Sequence, residues 1–424
     1  MFNYYENVIW KIDGALFACA LALSAFIIIY SALKDILWRR RNQRLAELKK
    51  SFQHLAEAGK NSIKNGCISL TSRVRPEEFL SITHDINSII PRKFESQLRQ
   101  CFISYNKLSD IERLAEKSGN KWKRIQAIII LGYAKSESAL NILKASLFNK
   151  DEDISYFSLL ALGEMKDESS ARVLFDFLQK RIYSGYKIIS LLESFPASVA
   201  EVAIEYTKSD DPFVRFWALR LLSKLNLRGS LNTIIELTKD SVPNVRAAAC
   251  DCLAGIGGQE AAAGLRQCLY DDFWFVRMHA VRGMGKALGK DSVREVSALI
   301  QDGNWLVRDA VKKVFKDNIE ESLTVIEKIF SGNDDNAKSD CAEVLEFSGY
   351  IDTLLKELLS KEPHTRTLAL LKGVVGARAH LGLEWSIKKF SSQERAHIIS
   401  DIARIDPLLS EHIDKKIKDI IKEP

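Results

Sequence analysis

The chain has 424 residues, 46% of them apolar and 27% charged, with eight prolines and 21 glycines. That charge content excludes a multi-span membrane protein, and so few prolines and glycines exclude a low-complexity or collagen-like chain. The net charge of +6 does not mark a nucleic-acid reader, because it is concentrated in one place. Between residues 34 and 65, Lys34, Arg39, Arg40, Arg41, Arg44, Lys49, Lys50, Lys60 and Lys64 face only Asp35, Glu47 and Glu57, which accounts for the whole excess. A nucleic-acid reader would spread a basic stripe over its folded body.

In chain order, residues 1–13 form a short leading stretch and Gly14 to Leu33 a run of twenty without a charge. As a helix this run spans about 30 Å, the thickness of a bilayer's hydrocarbon core. Trp38, Arg39, Arg40 and Arg41 follow it, and Tyr4, Tyr5 and Trp10 precede it, as interfacial aromatics and a stop-transfer cluster would. The pattern predicts one transmembrane helix over 14–33, its N-terminus outside and everything after it cytoplasmic, as in a bacterial inner membrane. Arg39–Arg41 would meet anionic lipid headgroups. A cleaved signal peptide fits less well, since there is no basic leading region and the A-x-A triplets lie inside the apolar run.

Residues 34–74 read as a basic juxtamembrane helix and linker. Trp38, Leu45 and Phe52 are seven apart, as are Leu48 and Leu55. This seam is expected to pack on the first repeat, with dimerisation through residues 38–55 as the alternative.

From about residue 75 to the end, an internal period takes over. Arg215, Arg246, Arg277 and Arg308 are each 31 residues apart, and Arg124 and Ser155 hold the same slot upstream. The frame loosens downstream to Lys338, Arg366 and Arg395, with weak copies near Lys93 and Tyr186. Three residues after the slot lies a small or short residue (Ala127, Ser158, Ala218, Ala249, Ala280, Val311, Cys341, Ala369). Seven after it lies a large apolar one (Leu131, Leu162, Leu222, Leu253, Met284, Phe315, Leu345). Those offsets place one apolar stripe on a helix, and partner helices such as LNTIIEL and VREVSALI lie between. One hairpin cannot bury its own stripe, so the expected fold is all-α: the N-terminal transmembrane helix, then an α-solenoid of about eleven short hairpins over 75–424.

An aspartate recurs six before the arginine, at Asp240, Asp271 and Asp302, paired in sequence with Arg246, Arg277 and Arg308. The pattern D-x4-V-R-x2-A resembles the short HEAT-like repeats of phycobilisome lyases over roughly 119–350. The resemblance implies a structural ladder of these Asp and Arg residues between adjacent repeats, broken at Ser155 and Tyr186.

Chemistry is sparse. Seven cysteines include no CxxC pair, and Cys250 and Cys252, two apart on a helix, face different ways. Seven histidines form no HxxxH or HExxH, and no phosphate loop, dinucleotide fingerprint or nucleophile elbow is present. The reading is a non-enzyme without metal or cofactor. What stands out is aromatic: Trp274 and Trp305 in one slot three before the arginine, Phe273 and Phe275 beside the first, and Phe213, Phe216 and Trp217 two repeats earlier. Packing between hairpins is one account of them. Other repeats place Pro212, Pro243 and Pro363 in the same slot, though, and a slot that takes Pro or Trp is no tight core position. Trp274 and Trp305 are therefore expected to be exposed anchors for a partner. Trp217 and His279 share the slot two after the arginine, beside Arg220, Arg282 and Lys313 five after it, a basic and aromatic surface suited to an acidic or amphipathic segment. The expected function is a non-catalytic, membrane-tethered scaffold or adaptor for a protein partner, such as a subunit of a polysaccharide synthase, transporter or secretion complex. Bilin-lyase-like pigment handling, and nucleic-acid binding like that of HEAT-like DNA glycosylases, are the alternatives. Membrane location argues against both.

Overall fold

The computed structural model describes residues 2–57, 78, 108–225, 228–360, 365–377 and 380–405, with side chains in the first helix described at 23–51 and 54. Residues 58–74 of the predicted juxtamembrane helix and linker, the weak repeat near Lys93 and the segment after 405 lie outside them. The chain divides into two compact units, Met1–Leu174 and Phe175–Pro424. Every described element is helical.

In the first unit, α1 (Phe2–Glu57) is one continuous helix through the predicted span and the basic segment. Its charged end is partly seated: Leu45, Leu48 and Lys49 are half-buried, and Arg44 Nε lies 3.3 Å from the buried carboxylate of Glu78. The apolar stretch above it is open to solvent, with Leu23, Phe26, Ile27, Ile28, Ile29, Tyr30 and Leu33 all exposed. Residues 14–22 of the predicted span have no described side chains. Among the described residues, no helix is long and apolar enough to cross a membrane.

Also in this unit, α2 (Leu108–Lys117), α3 (Lys121–Ala134), α4 (Glu137–Ser146) and α5 (Glu152–Met165) stack as short hairpins. Side-chain caps start them: Asn120, Ser136 and Asp151 each accept from backbone N–H groups of the first turn that would otherwise be orphaned. Gly132 shows why the slot eight after the arginine is tiny. A Cβ there would sit 2.6 Å from the carbonyl oxygen of Ala161, so only glycine lets α3 and α5 approach this closely.

Helix α6 (Glu168–Leu178) runs across the junction of the units. In the second unit follow α7 (Gly185–Leu192), α8 (Val199–Tyr206), α9 (Pro212–Leu225), α10 (Leu231–Leu237), α11 (Pro243–Ile256), α12 (Gly258–Cys268), α13 (Trp274–Leu288) and α14 (Ser292–Val296). After them come α15 (Trp305–Asp317), α16 (Ile319–Phe330), α17 (Asp335–Phe347), α18 (Tyr350–Leu358), α19 (Thr365–Gly376), α20 (His380–Ile387) and α21 (Ser392–Ile405). The arginine-slot helices α9, α11, α13, α15 and α17 pack side by side as one layer, and α10, α12, α14, α16 and α18 pair with them as a second. The core between the layers is the predicted stripe: Ala218, Ala249, Ala280, Val311, Cys341, Leu222, Leu253, Met284, Phe315 and Leu345 are all buried. Prediction and fold part company at α19, where Ala369 is only half-buried and Leu370, Leu371 and Val374 turn inward instead. The helix is rotated relative to the repeat frame there.

The cysteines of this layer are core filler. Burial pushes the Cys252 thiol far up and the Cys341 thiol up to about 12, so both stay neutral.

Candidate protein-binding surface

In the central repeats the hairpin corner is built by the arginine. In Arg246, Nε and Nη2 donate to both carboxylate oxygens of Asp271 at 2.6 and 2.9 Å, while Nη1 donates to the carbonyl of Asp240 at 2.8 Å. Arg277 does the same with Asp302 and the carbonyl of Asp271, and Arg215 with Asp240 and the carbonyl of Ser209. Each arginine therefore grips its own corner by the backbone and the next repeat by the side chain. The aspartate also receives the N–H two residues on, as Asp271 does from Phe273. Burial pushes the Asp271 carboxyl up, but the bonds from Arg246 and the Phe273 N–H, with the charges of Arg246 and Arg277, outweigh it and hold it below the ordinary carboxylate range. Asp302 is held down in the same way.

The ladder's ends depart from the sequence pattern. Arg308 reaches Asp340 on α17 at 2.7 Å, since the following repeat supplies no aspartate at the expected position. Where Tyr186 occupies the slot, Arg181 from the preceding loop takes the rung, meeting Asp211 at 3.3 Å and lying 5.0 Å over the Phe213 ring. In the first unit Ser155 breaks the charge pattern but keeps the backbone grip, donating to the carbonyl of Leu147 at 2.7 Å as Arg124 does to Ala115.

The predicted partner residues divide. Trp305 is 64% exposed and Trp274 38%, each at the first turn of its helix, and Phe273 is exposed beside Trp274. Phe273 also lies 5.8 Å from the guanidinium of Arg246, so it covers a ladder residue as well as facing solvent. Phe275 is half-buried and meets Trp274 edge-on. Trp217 departs from the expectation of an open anchor. Its indole lies against Gly185, where a Cβ would come within 2.1 Å of the ring, and its Nε1 is buried without a hydrogen-bond partner.

The slot five after the arginine forms a second column. Arg220 on α9 donates to Asp251 Oδ2 at 3.1 Å. His279 on α13 lies with Nδ1 2.6 Å from Asp251 Oδ1, and because a carboxylate only accepts, Nδ1 carries the proton. Asp251 is thus held from both neighbouring repeats. Beyond it, α11, α13 and α15 enclose an open cavity of about 640 Å³ lined by Asp251, His279, Arg282, Lys286, Lys313 and Asp317, among others. The structure brings His279, Arg282 and Lys313 together around this cavity. Trp274 and Trp305 do not line the cavity and stand at the N-terminal ends of the same helices. Sequence reasoning missed Asp251, Lys286 and Asp317. Asp251 was findable, because it sits 31 residues from both Arg220 and Arg282.

On α1, Trp38, Arg39, Arg40 and Arg41 are all exposed. Among the described residues, no group of three or more His, Cys, Asp or Glu could hold a metal ion.

Residues 110–191 and 199–285 match the model of HEAT repeats. The chain carries HEAT-like repeats. Among solved structures it is similar to an engineered protein at 15% identity, covering 74% of this chain and 99% of that one with a TM-score of 0.32. It is similar to human deoxyhypusine hydroxylase at 15% identity, covering 57% and 96% with a TM-score of 0.25. A structure of Kap121p bound to Nup53p is 13% identical, covering 84% of this chain and 46% of that one with a TM-score of 0.42. No curated protein matches the chain.

Proposed function

We propose that this protein is a non-catalytic adaptor, tethered to a membrane through its N-terminal helix, whose HEAT-like hairpins bind another protein. The observation that carries the binding half is the pair of indoles at equivalent corners of α13 and α15, exposed to solvent where neighbouring hairpins manage with proline. Rigid aromatic surface at low entropic cost is what interface anchors are made of. The tether is supported by the open apolar stretch of α1: isoleucine and aromatic side chains exposed on consecutive residues from Phe26 to Tyr30 cannot all face one core, and a run this apolar calls for a non-aqueous cover. Arg39–Arg41 at its end place the hairpins on the cytoplasmic side in this reading. Tethering raises local concentration near membrane partners without any new contact.

One experiment tests both halves. The full chain, a variant lacking residues 2–38, and Trp274→Ala/Trp305→Ala are compared by carbonate extraction of membranes and by partner capture in mild detergent. The deletion should appear in the supernatant, and the double Ala variant should lose about 2–4 kcal/mol of partner affinity with far-UV helicity unchanged. A deletion that stays with membranes would refute the tether. A double variant that captures partners as before would refute the indole anchors.

A further inference from the structure

The cavity between α11, α13 and α15 has its own chemistry. The column five after the arginine reads Arg220, Asp251, Arg282 and Lys313. Its one acid, Asp251, is already engaged by Arg220 and His279. Arg282 and Lys313 are exposed, as is Lys286 one turn beyond Arg282, and none of the three has an ion pair among the described residues. Some other cations of this unit are matched across repeats, as Arg266 is by Glu295 and Lys312 by Asp340 and Glu343. Three unmatched cations on one concave wall focus a positive field that an incoming acid would satisfy.

We propose that this cavity seats an acidic segment of the partner protein, its Glu or Asp carboxylates meeting Arg282, Lys286 and Lys313. The proposal rests on reading the chain as an adaptor and names what it grips. Two observations favour a polypeptide over a nucleic acid. Asp251 and Asp317 line the same wall, and a strand with a charge at every step would meet both, whereas a peptide can set uncharged residues against them. The wall also continues past Lys313 and Asp317 into a smaller hollow of about 260 Å³, lined in addition by Asp309, Lys316, the paired Lys312 and Glu343, and the exposed Phe347. An acidic segment with an apolar side chain beyond its acids fits that sequence of surfaces. A close approach of α13 and α15 shapes the floor, where a Cβ on Gly285 would stand 2.8 Å from Val314.

The test uses the full chain in mild detergent and fluorescence anisotropy with three labelled probes of equal length: a peptide of Glu and Asp with interspersed Leu, its Lys counterpart, and a single-stranded oligonucleotide. The acidic peptide should bind best, more weakly at high salt. Arg282→Glu/Lys313→Glu should weaken it by at least about tenfold with helicity retained. If that variant unfolds, Arg282→Gln/Lys313→Gln, which removes charge without adding repulsion, is read instead for loss in the same direction. Equal binding of the acidic and basic peptides, tighter binding of the oligonucleotide, or acidic-peptide binding that survives both variants overturns the proposal. Capture of the membrane partner through Trp274 and Trp305 in those same variants would leave the adaptor reading standing, so the two fail separately.

Discussion

Asp271 does three things at once: it takes two bonds from Arg246, accepts the Phe273 N–H in the turn that leads into α13, and lends its carbonyl to Arg277. Only the carbonyl survives replacement by alanine. Asp271→Ala should therefore destabilise the second unit by about 1–3 kcal/mol, because the Arg246 guanidinium is left part-buried without its acceptor. The loss should appear in thermal unfolding whether or not a partner is present, and an unchanged melting curve would refute the structural role. The same carboxyl sets a pH dependence. Its folded pKa is depressed, so its contribution is full above the unfolded value of about 3.9 and is lost as pH falls through the lower folded value. Asp302 acts in the same window. Melting temperature should thus be insensitive to these groups near neutrality and fall below about pH 4, less steeply in Asp271→Ala. Arg215 to Arg308 and Asp240, Asp271 and Asp302 were legible in the sequence because each recurs at one offset, unlike Asp340, which lies 32 residues after its arginine. Arg181 was not, because it reaches the rung from a loop, outside the slot that periodicity can register.

At the scale of the helices, the contact of α7 with α9 shows where pattern reading fails. Trp217 was legible as an aromatic in a repeated slot, but its surroundings depend on Gly185, which belongs to a repeat too irregular to align. With Cβ space of only 2.1 Å to the indole, Gly185→Ala must displace Trp217 or part the helices. A destabilisation of about 1–3 kcal/mol follows, the usual scale of overpacking, with a shift in tryptophan emission as the ring moves. An alanine variant with unchanged stability and emission would mean that the two helices yield freely. The exposed slots of α13 and α15 were easier to read, since a position that takes Pro or Trp is set by the helix start and not by the core. The cavity beside them was half legible. His279, Arg282 and Lys313 share columns, but only the fold shows that Asp251 is used up by its neighbours and that Lys286, a turn further on, joins the free cations.

Across the whole molecule, the repeat was legible from arithmetic alone over the stretch where 31-residue steps hold, and it loosened where α19 rotates out of frame. In the second unit the arginine rungs run in one direction, from Arg181 through Arg215, Arg246 and Arg277 to Arg308, each bonding forward to the following repeat. Mechanically these are couplings in series, with no bond bridging more than one neighbour in the ladder. A load applied along the chain between handles near Asp211 and Asp340 would then be carried by every rung at once, and when one yields the freed chain drops the force until the next is loaded. Stretching this unit should give a sawtooth of small, similar releases in place of one cooperative rupture. Each release corresponds to one 31-residue repeat, and hence to roughly 100–110 Å of freed contour length, at about 3.3–3.6 Å per residue. A single rupture releasing the whole length would mean that the shared apolar core, and not the chain of arginines, sets the size of the unit that yields.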